Sequence, residues 1–392
     1  MTLLTRPVPD KAGVEHRVLR DRAAMAGAAA AWRDLEARAA DPLTYFQGYD
    51  WCECWIAAFA GPKCRPEIHT LWQGKQLVAV WPLMLTGGAL KRLEPLGWPH
   101  SQYANLLADP ALGANAVAML LEGMAGAGHD LALLDSVPDG SALAGLLGET
   151  PPLTPLAGSA AMLDLAAFAT PEAYAAGLSK TQRRNRNRRR NALARHGALS
   201  FDVLFPGEAG FAEGVEACIR HKRQWLRETG RRSTGLAFDG FGRFLAALPG
   251  DRAALSGTCL SVLKAGDRIV AGEIGFLHHS HYYAYLGAFD WALREASPGK
   301  VQMDMTVSWL IGHGAKTYDL LGNPADYKES WSNRTLGLNT YALPANLAGR
   351  TYAGLWTARL RPGLKRLYLG LPNGLRRLAR FGQSVGLFLM IA

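Results

Sequence analysis

Hydrophobic and polar positions divide the chain into short elements that recur in one order. Residues 1–22 read as an edge strand or tail, and Ala26–Ala39 as an alanine-rich helix. Asp41-Pro42 breaks that helix, and Tyr49–Phe59 is a second amphipathic helix rich in Trp. Three strand candidates follow at Glu67–Trp72, Gln76–Leu85 and Ala89–Leu96. A helix at Gly113–Ala127, a strand at Leu131–Leu134, a helix at Ser141–Leu147 and a strand at Met162–Leu165 complete the series. After Glu172 the order repeats. A basic helix and a strand at Leu199–Phe205 lead to helices at Phe211–Glu228 and Phe238–Leu248. Strands at Thr258–Lys264, Ile269–Leu277 and His281–Phe289 come next, and Leu338–Leu343 is expected to close this second sheet.

The stretch from His281 to Trp331 carries the most chemistry. Its strand leads through a charged loop to Ser297-Pro298-Gly299-Lys300, where Ser297 can cap a helix and Pro298 suits the first turn. An apolar run to Ile311 fills the helix, and Gly312 and Gly314 end it. Thr317–Leu321 is a short buried strand, and Gly322-Asn323-Pro324 turns into a helix bearing Tyr327, Lys328 and Trp331. Strand, helix N-terminus, strand is a frame that suits a phosphate, because free N–H groups and the helix dipole favour an anion there. Arg294 and Lys300 stand nearby as charge partners. The plainer reading of Ser-Pro-Gly is a helix start and nothing more.

Composition narrows the class. With 392 residues, 49% of them apolar and only 19% charged, the chain is globular and long enough for two domains. No apolar run is long enough to span a membrane, and the first residues have no apolar signal core. Five cysteines without metal-ligand spacing suit a reduced, cytoplasmic setting. His278, His279 and His281 alternate around a hairpin and read as a surface turn, so no metal site is expected.

The net charge of +10 is concentrated in two places. Residues 173–201 hold eight Lys and Arg, residues 330–392 hold nine, and neither segment has an acid. A helix at Gln182–Arg195 that is basic on every face either stands in solvent or meets anions. Arg186, Arg189 and Arg190 are its candidate anion ligands; cofactor phosphates, a nucleotide-linked sugar, a tRNA acceptor stem or acidic lipid all fit the pattern. In the tail, Leu364, Leu367, Tyr368 and Leu371 follow Pro362 at helical spacing among Lys and Arg. That pattern fits reversible contact with the inner face of an anionic membrane, or a terminal helix docked on the body.

Four pieces together resemble the acyltransferases of the GNAT superfamily, in the branch of CelD-like polysaccharide proteins and Fem-like tandem enzymes. They are Ser297-Pro298-Gly299 after a strand ending in Phe289-Asp290, then Tyr318-Asp319-Leu320-Leu321-Gly322, Tyr327-Lys328 with Trp331, and the upstream basic helix at 178–197. The phosphate loop departs from the usual GNAT pattern, with the single Gly299 behind a proline in place of a glycine pair.

The resemblance implies a mixed α/β fold of two tandem GNAT-like domains. Residues 1–165 are a degenerate first copy, 166–344 the acyltransferase domain, and 345–392 a basic amphipathic tail. It implies transfer from acetyl-CoA or another acyl-CoA to an amine, on an amino sugar or sugar nucleotide of envelope or exopolysaccharide. Two alternatives stay open: a Fem-like transferase using aminoacyl-tRNA, and a catalytically silent accessory of a polysaccharide machine. Tyr285, Gly287 and Ala288, in a bulged strand, would line the donor together with Arg294, Ser297, Gly299, Lys300 and Asn323.

Tyr327 would return a proton to the departing thiolate, tuned by Lys328; its alternative is packing on Trp331. Asp319 either orients the amine, acts as a base, or bonds the backbone where the sheet splays. In the first copy, Asp109-Pro110-Ala111-Leu112-Gly113 places an acid where the phosphate would go.

Overall fold

In a computed structural model, the described residues are 13–153, 158–238, 240–322, 328, 330–360 and 363–364. They fall into two compact units, one running to Gly158 and including Gly337–Leu364, the other Ser159–Leu336. Each unit is a mixed sheet flanked by helices.

The first unit contains β1 (Val14–Leu19), α1 (Arg22–Ala39), α2 (Tyr49–Phe59), β2 (Cys64–Gln73), β3 (Gln76–Gly87), β4 (Lys91–Pro95), β5 (Leu107–Ala108), α3 (Ala114–Ala125), β6 (Leu131–Pro138) and α4 (Ala142–Leu147). Strand order is β1-β2-β3-β4-β6. Helices α3 and α4 bury Ala116, Leu120, Met124, Leu143 and Leu147 against Leu71, Trp81, Leu83 and Leu93. Strands β4 and β6 run parallel, paired at Arg92↔Leu131 and Leu93↔Ala132.

The gap beyond that pair is filled by the chain itself. Ala104 N donates to Ser136 O of β6, and β5 pairs with Ala79 and Val80 of β3. Side chains from α2 hold this insert, with Trp51 Nε1 donating to Ser101 Oγ and Trp55 Nε1 to His100 Nδ1. Past it, Asp109 accepts from Ala111 N and pairs with Arg38, so the approach to α3 already has its own carboxylate.

The second unit contains β7 (Gly158–Asp164), α5 (Pro171–Gly177), α6 (Lys180–Ala194), β8 (Leu199–Leu204), α7 (Phe211–Thr229), α8 (Phe241–Ala247), β9 (Gly250–Asp251), β10 (Ser256–Ala265), β11 (Arg268–His278), β12 (His281–Phe289), α9 (Pro298–Gly312) and β13 (Thr317–Asp319). Its strand order is β7-β13-β12-β11-β10-β8. The stripe Met303, Val307, Leu310 and Ile311 of α9 packs on Tyr282, Tyr318 and Leu277.

Strand β14 (Arg334–Pro344) adds to one expectation. It pairs antiparallel with β6, from Leu338↔Pro138 to Pro344↔Leu131, and so extends the first sheet. A strand pattern records which residues alternate and carries no address for the partner strand. Helix α10 (Leu347–Thr351) follows, and a π-helical run Tyr352–Leu360 buries Ala353 against Leu131 and Leu133. Of the expected membrane-contacting tail, 361–362 and 365–392 lie outside the described residues. Among the described residues, no helix is long and apolar enough to cross a membrane.

Candidate active site

The central feature of the second unit is a fork between β12 and β13. The two strands run parallel through His281↔Thr317, Tyr282↔Tyr318 and Tyr283↔Asp319. There β13 ends, while β12 continues six residues to Phe289, still paired with β11. Opposite Ile274 and Gly275 the register shifts by one, which makes Tyr285 the extra residue of a β-bulge. This is the bulge expected between Tyr285 and Ala288.

Past the bulge, Gly287 is exposed and Ala288 is buried opposite Gly272. The Tyr285 ring lies 4.8 Å from that of Phe276 and 6.4 Å from that of Phe241, and burial raises its phenol pKa. Its side chain therefore packs, and what it offers the fork is backbone.

Helix α9 begins beyond the end of β12. Ser297 caps it in the left-handed conformation, at φ 54°, and its side chain makes no cap bond. Pro298 has no N–H, and Lys300 N bonds back to Ser297 O at 3.1 Å. The first turn thus leaves the Gly299 N–H without a partner among the described residues, fewer free donors than the sequence suggests. A Cβ on Gly299 would meet the Phe289 ring at 3.3 Å, so glycine permits the close approach of helix and strand.

Positive charge gathers at this helix start. Lys300 is exposed, and burial and then Arg189 lower its pKa. Arg294 instead stacks on Trp291 at 5.3 Å and pairs with Glu295.

The basic helix α6 has an inward stripe after all, made of Arg186, Arg189 and Leu193. A capping box between Ser179 and Gln182 starts the helix. Arg186 pairs with Asp304 of α9 at 2.7 Å, donates to Tyr174 Oη at 2.6 Å, and stacks on Tyr174 and Trp331. Its charge is therefore committed within the fold. Burial raises the Asp304 pKa, and Arg186, Arg190 and Arg189 pull it back down. Arg183, Arg184, Arg188, Arg190 and Arg195 are exposed and form no ion pair among the described residues.

At the other lip, Asp319 is fully buried. Its Oδ2 lies 3.0 Å from His281 Nε2, and its Oδ1 accepts from Leu321 N at 2.7 Å. Leu321 has φ 62°, so the carboxylate holds the backbone bend where the sheet splays, one of the roles open from sequence. His281 is 3% exposed and is no part of a surface turn, as alternation around the hairpin suggested. The turn is confined to His279 and Ser280.

The Lys328 ammonium donates to the carbonyls of Leu320, Leu321 and Gly322, at 2.7, 3.1 and 2.7 Å. Burial pulls its pKa down to about 8 against the attraction of Asp319. Tyr327 and Asn323 lie outside the described residues.

Two residues here escaped the sequence reading. Lys222 of α7 donates to Gly287 O at 3.2 Å and lies 4.8 Å from the Trp225 ring; burial and then Arg231 lower its pKa. Its signal was position, because it falls between Cys218 and Leu226 on the buried stripe Phe211, Val215, Cys218, Leu226. Glu273 sits mid-strand in β11, 4% exposed, and takes the hydroxyls of Tyr282 and Tyr318. A lone charge inside an apolar strand was the signal there.

Among the described residues, no group of three or more His, Cys, Asp or Glu is placed to hold a metal.

Residues 180–329 match the family described as an acetyltransferase (GNAT) domain, and acyl-CoA is the donor that such domains use. The matched segment spans α6 to the fork. No curated protein matches the sequence. Among solved structures, FemX is similar at 12% identity over 82% of this chain and 98% of that one, with a TM-score of 0.57. The C-terminal domain (DUF2156) of a putative lysylphosphatidylglycerol synthetase from Agrobacterium fabrum is similar at 15% identity, over 84% and 94%, with a TM-score of 0.53. At such identities the likeness is one of fold.

Proposed function

We propose that the GNAT acetyltransferase domain at residues 180–329 makes this chain an acyl-CoA-dependent N-acyltransferase of the CelD-like branch. Its acceptor is an amine on an amino sugar or sugar nucleotide used for envelope or exopolysaccharide. The observation that carries the reading is the fork. The edge of β12 past its last pair with β13, bulged at Tyr285 and leading to a helix N-terminus beside Lys300 and Arg189, suits a donor with an amide-bearing arm and phosphates. The arm can run along that edge as a strand would, and the phosphates can meet the α9 dipole.

In the reaction the amine nitrogen attacks the thioester carbonyl, a C–N bond forms and the C–S bond breaks. A backbone N–H of the bulged strand stabilises the oxyanion. Tyr327, tuned by Lys328, protonates the thiolate, and the proton that the amine gives up restores the phenol. Such proton return contributes about a hundredfold to ten-thousandfold. Tyr327→Phe is therefore expected to lower kcat at least about tenfold, with donor affinity and melting temperature nearly unchanged. Thiol release from acetyl-CoA across a panel of amines is the assay. A near-wild-type kcat where chemistry limits the rate would reject Tyr327 as the acid.

The exposed arginines of α6 favour one second reading, a Fem-like transferase drawing on aminoacyl-tRNA. Calorimetry separates the two: no acetyl-CoA binding, with saturable binding of aminoacyl-tRNA, transfers the assignment. Absence of both, together with no thiol release, supports a silent accessory protein. Contact of the basic tail with an anionic membrane is part of the same proposal, and truncation after Pro344 tests it by loss of vesicle binding.

A further inference from the structure

The vertex of the fork is fastened on both faces of the sheet. On the face under α9, Tyr282 and Tyr318 occupy the same pair of the parallel register, with rings stacked at 5.4 Å and 11°. Both hydroxyls converge on Glu273 of the next strand, Tyr282 at 3.1 Å and Tyr318 at 3.0 and 2.9 Å from the two carboxylate oxygens. In the same layer the Gln302 amide of α9 donates to Ser261 Oγ and Thr306 Oγ1, both at 2.7 Å. On the opposite face, His281 of β12 meets Asp319 of β13. One pair farther on, β13 has ended.

The cost of this arrangement argues that it has a purpose. Burial raises the Glu273 carboxyl to about 7, against the hydrogen bonds of Tyr318 and Tyr282 and the charge of Lys222. Apolar residues of similar volume would close the same core without that desolvation penalty. Space has been cleared for it as well. A Cβ on Gly275 would stand 2.2 Å from the Tyr282 hydroxyl, so glycine lets the phenol cross β11 to reach the carboxylate.

Stacked rings on neighbouring strands can share one acceptor only while the strands keep normal spacing. If β13 drifted outward at the vertex, Tyr318 would leave hydrogen-bond range before the apolar contacts loosened.

We infer that Glu273 is a positioning residue for acyl transfer, gathering Tyr282 and Tyr318 to fix where β12 and β13 part and how wide the donor fork opens. The inference rests on reading the fork as the donor site. Glu273 touches neither donor nor acceptor in this account; it acts through the two strands.

The test uses the full chain. Acetyl-CoA affinity is measured by calorimetry, and amide exchange over 281–283 and 317–321 is followed without ligand. Variants are Tyr318→Phe, Tyr282→Phe and Glu273→Gln, with Val307→Ala as a packing control in the same layer. Tyr318→Phe is expected to weaken acetyl-CoA about tenfold and to speed exchange at 317–321 by a similar factor. Glu273→Gln, which keeps an acceptor oxygen, is expected to fall between Tyr318→Phe and wild type. Val307→Ala should lower the melting temperature without either change.

Wild-type affinity and wild-type exchange in Tyr318→Phe and Glu273→Gln, whatever their melting temperatures, would reduce the cluster to core packing and overturn the inference. Should Tyr318→Phe not fold, Tyr282→Phe and Glu273→Gln carry the same comparison. Failure of wild type to bind acetyl-CoA strikes the donor-site reading instead, and the exchange experiment still judges whether Glu273 fastens the vertex.

Discussion

Arg186 shows how a residue's chemistry can be legible while its role is not. From sequence it was one of three candidate anion ligands, since nothing in α6 distinguishes one arginine from another. The distinguishing partner, Asp304, lies on another helix 118 positions along the chain. With side chains 14% and 13% exposed, this pair is shielded enough that removing one charge strands the other. Arg186→Gln is expected to cost about 2 kcal/mol of stability in urea unfolding, whereas Arg190→Gln, at an exposed position, should cost almost nothing.

A second residue carries a pH signature. His69 is fully buried; its Nδ1 lies 3.0 Å from His16 Nε2, and its Nε2 has no partner among the described residues. Burial, with His16, Arg20 and His129 adding to it, depresses its pKa to about 3. The unfolded chain takes up a proton here near pH 6.5 and the folded chain does not, so this contribution to stability is present above that pH and is lost as pH falls. The carboxyls of Glu36 and Glu273, both raised to about 7, act in the opposite sense, so the overall profile mixes signs. Comparison with His69→Gln removes them. The stability difference between wild type and the variant should shrink by about 2 kcal/mol from pH 7 to pH 5; a constant difference would show that His69 is not held neutral.

At the level of elements, helices and strands with a clean period were readable to within a few residues, and His281–Phe289 and Tyr49–Phe59 coincide with β12 and α2. Elements whose pattern is set by partners were not. The inward stripe of α6 is built from arginines, so hydrophobic periodicity passes over it. The return of β14 to β6 depends on pairing that no local pattern encodes. The bulge in β12 was legible by resemblance alone, and the physical mark beside it is Gly275. Because a Cβ there would overlap the Tyr282 hydroxyl, Gly275→Ala must push the ring off Glu273 or shift β11. A loss of about 2 kcal/mol or more is expected by thermal unfolding, and a neutral result would mean that Tyr282 has another rotamer available.

For the whole molecule, two units built in one order differ where it matters for a ligand. In the first, the gap past the β4–β6 pair is occupied by the chain from Leu96 to Ala108, and Asp109 stands before α3. In the second, β12 runs past its last pair with β13 and leads to α9. The acid before α3 was visible in the sequence. The insert was not, because its buried residues Tyr103, Ala104 and Leu106 form no periodic run. Under the proposed function, this contrast predicts one donor site per chain, in the second unit.

Hydrogen exchange with and without acetyl-CoA, run beside calorimetry on the full chain, tests that most directly. One acetyl-CoA per chain is expected, with protection at residues 284–289 and at the start of α9 and none at 96–113. No binding, or protection centred on 96–113, would contradict the account.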